Sequence, residues 1–298
     1  MRKLFGPADL LTLSFLALLI VLTLVSHPNN PSWPNLLSTY ASLCGAAVAA
    51  AVYRRNTRNL PRGIYLSGAI TVVTILFIFN SLGALIAGLR HETFDRALIA
   101  IDYALFGVHP TVWLERAITP LLTAILQFAY ISYYFIPLSL GFFLIGKGRY
   151  DDFDEALFGI VLCFYLSYIG YLLVPAVGPR FMLAPLQTAD LQAGPFIEKI
   201  QLTLNGMEKN KTDAFPSGHT AVALMTLYYA WKKKERMLSG ILLPIAAALI
   251  VSTVYLRYHY VIDVIAGIGL TGLTIALAPG ARRLFSGEQP DRERHHPA

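Results

Sequence analysis

The sequence predicts an all-α, polytopic transmembrane helix bundle of about eight spanning helices, with one further helix lying along the outer interface. Three observations predict it. The 298 residues are 55% hydrophobic and only 14% charged, with a mean hydropathy of +0.55, whereas soluble domains carry about 25% charged residues. The apolar residues fall into runs near the ~20 residues that cross a bilayer. The basic residues lie between those runs with a strong bias to one side.

The runs are 8–26, 36–53, 63–89, 119–145, 156–175, 216–231, 237–256 and 260–279. The first follows Met1-Arg2-Lys3, so a signal peptide is the alternative reading. The run is long for one, and Ser26-His27-Pro28 makes a poor cleavage site, so it reads as a retained helix. Run 216–231 is short and reads as starting below the lipid surface. With the N-terminus placed in the cytoplasm, 16 Lys and Arg fall inside and 8 outside. Both termini are then cytoplasmic. The net charge of +6 follows from topology and implies no nucleic-acid partner. Cys44 and Cys163 sit in apolar runs and read as small buried hydrophobes.

Two outer connections are long. Residues 90–118 carry Phe94, Leu98, Ile101 and Leu105 with Asp95, Arg96 and Asp102 between them. This reads as a helix lying in the interface, with Trp113 at headgroup level. Residues 176–214 are rich in turn formers and read as a loop, with Lys209 and Lys211 solvated on it or, as the lesser alternative, in contact with substrate. The chain divides into N-terminal transmembrane helices at 1–90, a helical core at 91–280 and a polar, disordered tail at 281–298.

Ionisable groups at the membrane edge are costly and so mark candidate sites. Arg180, His219, His259 and Asp263 come from distant segments, yet topology puts all four at the outer face. In Pro216-Ser217-Gly218-His219 the proline suits a first helical turn. The serine and glycine leave backbone N–H groups open to an anion, with His219 beside it to move a proton. An ordinary helix start with an interfacial histidine fits that motif equally. In His259-x-x-x-Asp263 the spacing puts both side chains on one helical face. The aspartate can accept a hydrogen bond from one ring N–H, which fixes the tautomer and leaves the other nitrogen as a nucleophile; a structural pair is the plain alternative. Arg180 and Arg257 suit phosphate oxygens, or the interface alone. Convergence on one face favours chemistry.

This ordered set resembles the type 2 phosphatidic acid phosphatase superfamily, whose pattern is K-x6-R-P, then P-S-G-H, then S-R-x5-H-x3-D. The chain departs from it at Leu173, Phe181 and Thr253, which replace a lysine, a proline and an arginine. Gly178-Pro179-Arg180, the Tyr255-Leu256-x-x-His259-Tyr260 stretch and Asp102-Tyr103-Ala104-Leu105-Phe106-Gly107 are more similar to the inositol phosphorylceramide synthase branch.

The resemblance implies roles for each residue. His259 attacks phosphorus, Asp263 orients it, and His219 protonates the leaving group and deprotonates the acceptor. Arg180, Ser217 and the Gly218 backbone bind phosphate oxygens, while Arg257 stays a candidate from its position beside His259 alone. No cofactor and no metal enter this scheme. It implies a lipid phosphotransferase of a bacterial inner membrane, moving inositol phosphate or a related headgroup from a phospholipid donor to a lipid acceptor. A lipid phosphate or polyprenyl diphosphate phosphatase, with water as acceptor, is the alternative. A transporter or scaffold ranks below both, because its polar groups belong near the bilayer midplane. The oligomeric state is open.

Overall fold

In the computed structural model the chain is described at residues 4–57, 61–191, 194, 199, 203, 206 and 210–287. Besides one-turn helices, ten α-helices organise the described residues: α1 Pro7–Ser26, α2 Trp33–Asn56, α3 Pro61–Leu89, α4 Asp95–Phe106, α5 Pro120–Ile131, α6 Ile136–Gly146, α7 Tyr150–Leu173, α8 Gly218–Lys232, α9 Arg236–Tyr255 and α10 Val261–Ser286. No strand forms among the described residues. A lone parallel bridge joins Ala176 to Asp213.

Six helices (α1, α2, α3, α7, α9 and α10) are long and apolar enough to cross a membrane, and bent pairs bring the possible total to eight. The expected run 119–145 is one such pair, with α5 and α6 meeting at 49°. Pro137 sits in the first turn of α6 and has no backbone N–H to continue the hydrogen-bond ladder from the preceding helix. The other pair is Asp95–Phe106 with Pro110–Ala117, bent by 61°. The run expected at 216–231 is α8, only 15 residues long, so it falls short of the spanning length. Its predicted proline start moves as well. Pro216 lies outside the helix in a cis peptide with Phe215, and Ser217 is the N-cap.

Among the described residues the two larger apolar cores share α7, and a smaller one joins Leu98 of α4 to Ala176, Leu183, Ala214 and Tyr260. One of the larger two joins α1, α2 and α3 to α7, with Phe15 stacked on Tyr165 at 4.3 Å. The other joins α5, α6, α8 and α9 to α7. Helix α7 is 61% buried over its apolar window, against 33–39% for the other five, so it is the axis of the fold. Helix α1 is therefore a packed element of the bundle. Helix α10 continues to Ser286, past the expected tail boundary at 281, because Phe285 packs against Phe158 at 6.3 Å.

Basic and acidic side chains gather at one end of the bundle. Glu235 binds Lys147 at 2.7 Å and also pairs with Arg149. Asp152 and Glu155 hold Lys233 and Lys232, and Arg54 reaches Asp9 at 2.6 Å. The other end carries α4 and the turns that bear Arg180, His219 and His259.

A helix, α4, forms within the connection expected to hold an interfacial helix. Ile101, Leu105 and Phe94 of its apolar stripe are 42%, 56% and 38% exposed, while Asp95 and Asp102 are 0% and 2% exposed. The helix docks on the bundle through its carboxylates and turns most of its apolar face outward. Buried backbone N–H groups need acceptors, and these two aspartates supply them.

Candidate active site

Helix α10 begins where His259 and Asp263 are needed. Asp263 Oδ2 accepts the Tyr260 N–H at 2.8 Å, which caps the helix from within. The N–H groups of Val261 and Ile262 donate to Asp102 at 2.9 and 2.8 Å. Asp95 accepts from the Tyr260 hydroxyl at 2.9 Å, from Gly178 N–H at 2.9 Å and from Val177 N–H at 3.0 Å. The two aspartates of α4 thus brace the His259 turn and the Arg180 turn together.

The His259 ring is held by a second segment. Its Nδ1 lies 2.7 Å from the carbonyl of Ala214 and 3.5 Å from Asp263 Oδ2. Both neighbours are acceptors, so Nδ1 carries the proton and Nε2 keeps its lone pair. At 2.7 Å the carbonyl is the hydrogen-bond partner, and Asp263 acts as an adjacent negative charge. Asp263 Oδ1 is buried without a partner among the described residues. It is a ready acceptor for an imidazolium that shifts toward it.

Nε2 of His259 faces Nδ1 of His219 at 3.2 Å. Because Nε2 is the acceptor, His219 Nδ1 is the donor. The His219 ring packs against Tyr133 at 4.3 Å and Tyr130 at 4.8 Å. Tyr130 stacks in turn on Tyr258 at 4.3 Å, and the Arg180 guanidinium lies 5.2 Å from the Tyr258 ring. This aromatic ladder fixes the spacing between His219 and Arg180.

Arg180 sits on the single turn Pro179–Met182. Gly178 before it has φ 88°, and a Cβ there would stand 2.6 Å from the Tyr258 carbonyl oxygen; only glycine fits. The Arg180 N–H donates to the Arg257 carbonyl at 2.9 Å, which locks the two arginine turns in register.

Arg180, His219, His259 and Arg257 line one cavity of about 30 Å³, together with Lys211, Asn210 and Asp213. Four sequence-predicted residues therefore meet, and Asp263 supports His259 from behind. Ser217 and Gly218 stand one layer back. Ser217 Oγ accepts the Thr220 N–H at 3.3 Å and the Thr220 hydroxyl at 3.0 Å. The Ser217 N–H donates to the Asp263 carbonyl at 2.9 Å. A Cβ on Gly218 would fall 2.2 Å from the Tyr171 hydroxyl, and the Gly218 backbone hydrogen-bonds that oxygen. These two residues join α8 to α10 and α7.

Arg257 has φ 66°, a strained conformation for an arginine. Its guanidinium donates to Glu115 at 2.8 Å, the Ala189 carbonyl at 2.6 Å and Gln187 at 3.3 Å. Burial pushes the guanidinium below its ordinary pKa, and the Glu115 charge opposes that. Its Nε has no partner among the described residues.

Leu173 and Thr253, which stand where the resembled pattern has cations, play no such part here. Leu173 is 57% exposed on the outside of the bundle. Thr253 is buried, and its carbonyl accepts the N–H groups of Tyr258 and His259 at 2.9 and 3.0 Å. Lys211 lines the cavity, where the lesser of its two sequence readings, contact with substrate, puts it. Lys209 lies outside the described residues.

Sequence reasoning missed Asp95, Asp102, Glu115 and the Ala214 carbonyl. Asp95, Leu98 and Asp102 do share a helical face at i, i+3 and i+7, and that was the available signal.

Comparison with known proteins matches residues 96–277 to the PAP2 superfamily. A PA-phosphatase related-family protein of Dictyostelium discoideum is 28% identical over 236 residues, covering 67% of this chain and 42% of that relative's length. The chain thus spans less than half of that relative. No solved structure is significantly similar to the chain. With the motif residues of α8 and α10 inside a match that takes in more than half of its length, the chain belongs to the PAP2 superfamily.

Proposed function

We propose that the protein is a membrane enzyme that cleaves a lipid phosphoester through a phosphohistidine at His259 and passes the phosphorylated group to a second alcohol. The observation that carries this reading is the aim of His259. Its Nδ1 is committed to Ala214 and Asp263, and its Nε2 meets His219 at the wall of a cavity also lined by Arg180 and Lys211.

In the first half-reaction the His259 Nε2–phosphorus bond forms as the bond from phosphorus to the leaving oxygen breaks. The electron pair goes to that oxygen, which takes the proton from His219. A phosphoryl group on Nε2 needs the space that His219 Nδ1 now fills at 3.2 Å, so the two rings part on substrate entry. In the second half-reaction the acceptor hydroxyl gives its proton to His219 and attacks phosphorus, freeing His259. Arg180 and Lys211 stabilise the equatorial oxygens as charge shifts.

Transfer of inositol phosphate or a related headgroup to a lipid is the finer form of this reading. It rests on the branch-like motifs around Arg180 and His259 and on the loss of cations at Leu173 and Thr253. Hydrolysis differs only in the acceptor, and the polar lining of the small cavity by Asn210 and Asp213 suits water.

The test uses labelled phosphatidylinositol with and without ceramide or diacylglycerol, in wild type and in His219→Gln. A new labelled lipid supports transfer, whereas release of only inositol phosphate or phosphate refutes it. His219→Gln is expected to slow turnover by about 10²–10⁴, with phosphoenzyme accumulating when the leaving group needs no protonation. Wild-type turnover in His219→Gln would refute the assigned proton transfer.

A further inference from the structure

A second, much larger cavity of about 800 Å³ lies on the other side of His219. Its walls are α3 at Val72 and Ile75, α6 at Gly141, and α7 at Phe153 and Tyr168. His219 and Asp213 line both cavities. One space carries Arg180, Lys211 and Arg257, and the other is lined almost wholly by apolar and aromatic groups. Together they have the form of an amphiphile, with the proton-transferring histidine where head meets tail.

The large cavity also has a length and a floor. From Tyr171 to Phe153, both in its lining, α7 rises about five turns, or ~27 Å, close to the ~30 Å hydrocarbon core of a bilayer. At the inner end Phe153 lies between two glycines. A Cβ on Gly68 would meet its ring at 3.4 Å, and one on Gly141 would meet it at 3.3 Å. The cavity continues to the outside of the bundle between α3 and α6, where Val73 and Phe142 are 48% and 61% exposed. A chain can therefore enter sideways from lipid. Helix α3 lies outside the matched family region of 96–277, so this wall is added to the family core.

We propose that this cavity holds the hydrocarbon chain of a long-chain lipid alcohol, as its phosphoester before cleavage and as the free alcohol after it, with α3 and Phe153 setting the length accepted. This rests on the phosphohistidine reading. The bond broken is then the one from phosphorus to the lipid oxygen. The new bond is to His259 Nε2, and the lipid oxygen keeps the electron pair and takes the His219 proton. His219 opens onto the apolar cavity, so the oxygen it protonates is the one that carries the chain.

The test has two arms, both on the full chain in nanodiscs. Octadecyl phosphate bearing a diazirine at its chain end is photolysed, and adducts are mapped by mass spectrometry. Adducts near Gly68, Gly141 and Phe153 are expected, with loss of at least about tenfold in Val72→Trp and in Gly141→Leu, the effect of excluding two buried methylenes. In the second arm the turnover ratio of octadecyl to octyl phosphate is expected to fall by a similar factor in both variants. Two variants on opposite walls guard against one that fails to fold. Adducts confined to the outer surface and unchanged in both variants, or an unchanged ratio in active variants, overturn the proposal. If wild type turns over no phosphoester, the catalytic reading fails, and the photolabelling arm alone still decides the cavity.

Discussion

Asp102 is expected to govern catalysis without touching substrate. It is 2% exposed and accepts two N–H groups, those of Val261 and Ile262, at the start of α10. Replacement by asparagine keeps one acceptor oxygen and turns an amide N–H toward the other donor. One charge-assisted bond is lost, worth about 1.5–3 kcal/mol. A helix N-cap loss falls in the same range, at about 0.5–2 kcal/mol. At ~1.4 kcal/mol per decade, Asp102→Asn reduces the fraction of molecules with His259 in line by roughly 10–100-fold. The assay is steady-state kinetics on detergent-purified protein, with thermal melting in parallel. Because Asp102 lines neither cavity, kcat is expected to fall by that factor while KM stays near wild type. Asp102→Glu, which keeps the charge, is expected to recover part of the loss. A kcat within threefold of wild type at unchanged Tm would refute the bracing role. So would a change confined to KM, since substrate contact is then the better explanation.

Three further predictions test separate links. Gly218→Ala puts a Cβ 2.2 Å from the Tyr171 hydroxyl oxygen but 3.5 Å from the ring carbon that bears it. The variant is therefore expected to lose stability by about 1–3 kcal/mol, and adding Tyr171→Phe to restore most of it; additive losses in the double variant would show that the clash lies elsewhere. Topology is read by cysteine labelling in a cysteine-free background: Arg116→Cys is expected to react with an impermeant maleimide on intact cells and Asn56→Cys only after permeabilisation, and the reverse pattern inverts the orientation. His259→Ala is expected to abolish turnover of every phosphoester that wild type accepts, and residual turnover near wild type is incompatible with nucleophilic attack by that ring.

The residues that perform the assigned chemistry were legible in the sequence because their spacing is local. His259 and Asp263 are one helical turn apart, and His219 follows a serine–glycine cap, so a one-dimensional pattern carries most of their geometry. Their shared depth followed from counting lysines and arginines between apolar runs. Asp95 and Asp102 were not legible in the same way. The apolar stripe made α4 read as an interfacial helix, and nothing in that pattern showed that its carboxylates dock on the bundle. In lipid the solvent is apolar, so the free energy of exposing Ile101 and Leu105 is small, and the need to satisfy N–H groups at Gly178, Val261 and Ile262 decides which face turns in. The Glu115–Arg257 pair and the Ala214 carbonyl were hidden for another reason. They join segments 142 and 45 residues apart, and no local pattern records such a pairing.

The most direct measurement is the identity of the phosphorylated residue during turnover. Wild type is mixed with labelled lipid phosphoester, quenched within a few turnovers at alkaline pH, where phosphohistidine survives, and digested for mass spectrometry. The expected result is label on His259, at the ring nitrogen facing His219, absent from His259→Ala and discharged when acceptor is added. Label on any other residue would contradict phosphoryl transfer through His259, as would full turnover with no covalent label at any quench time.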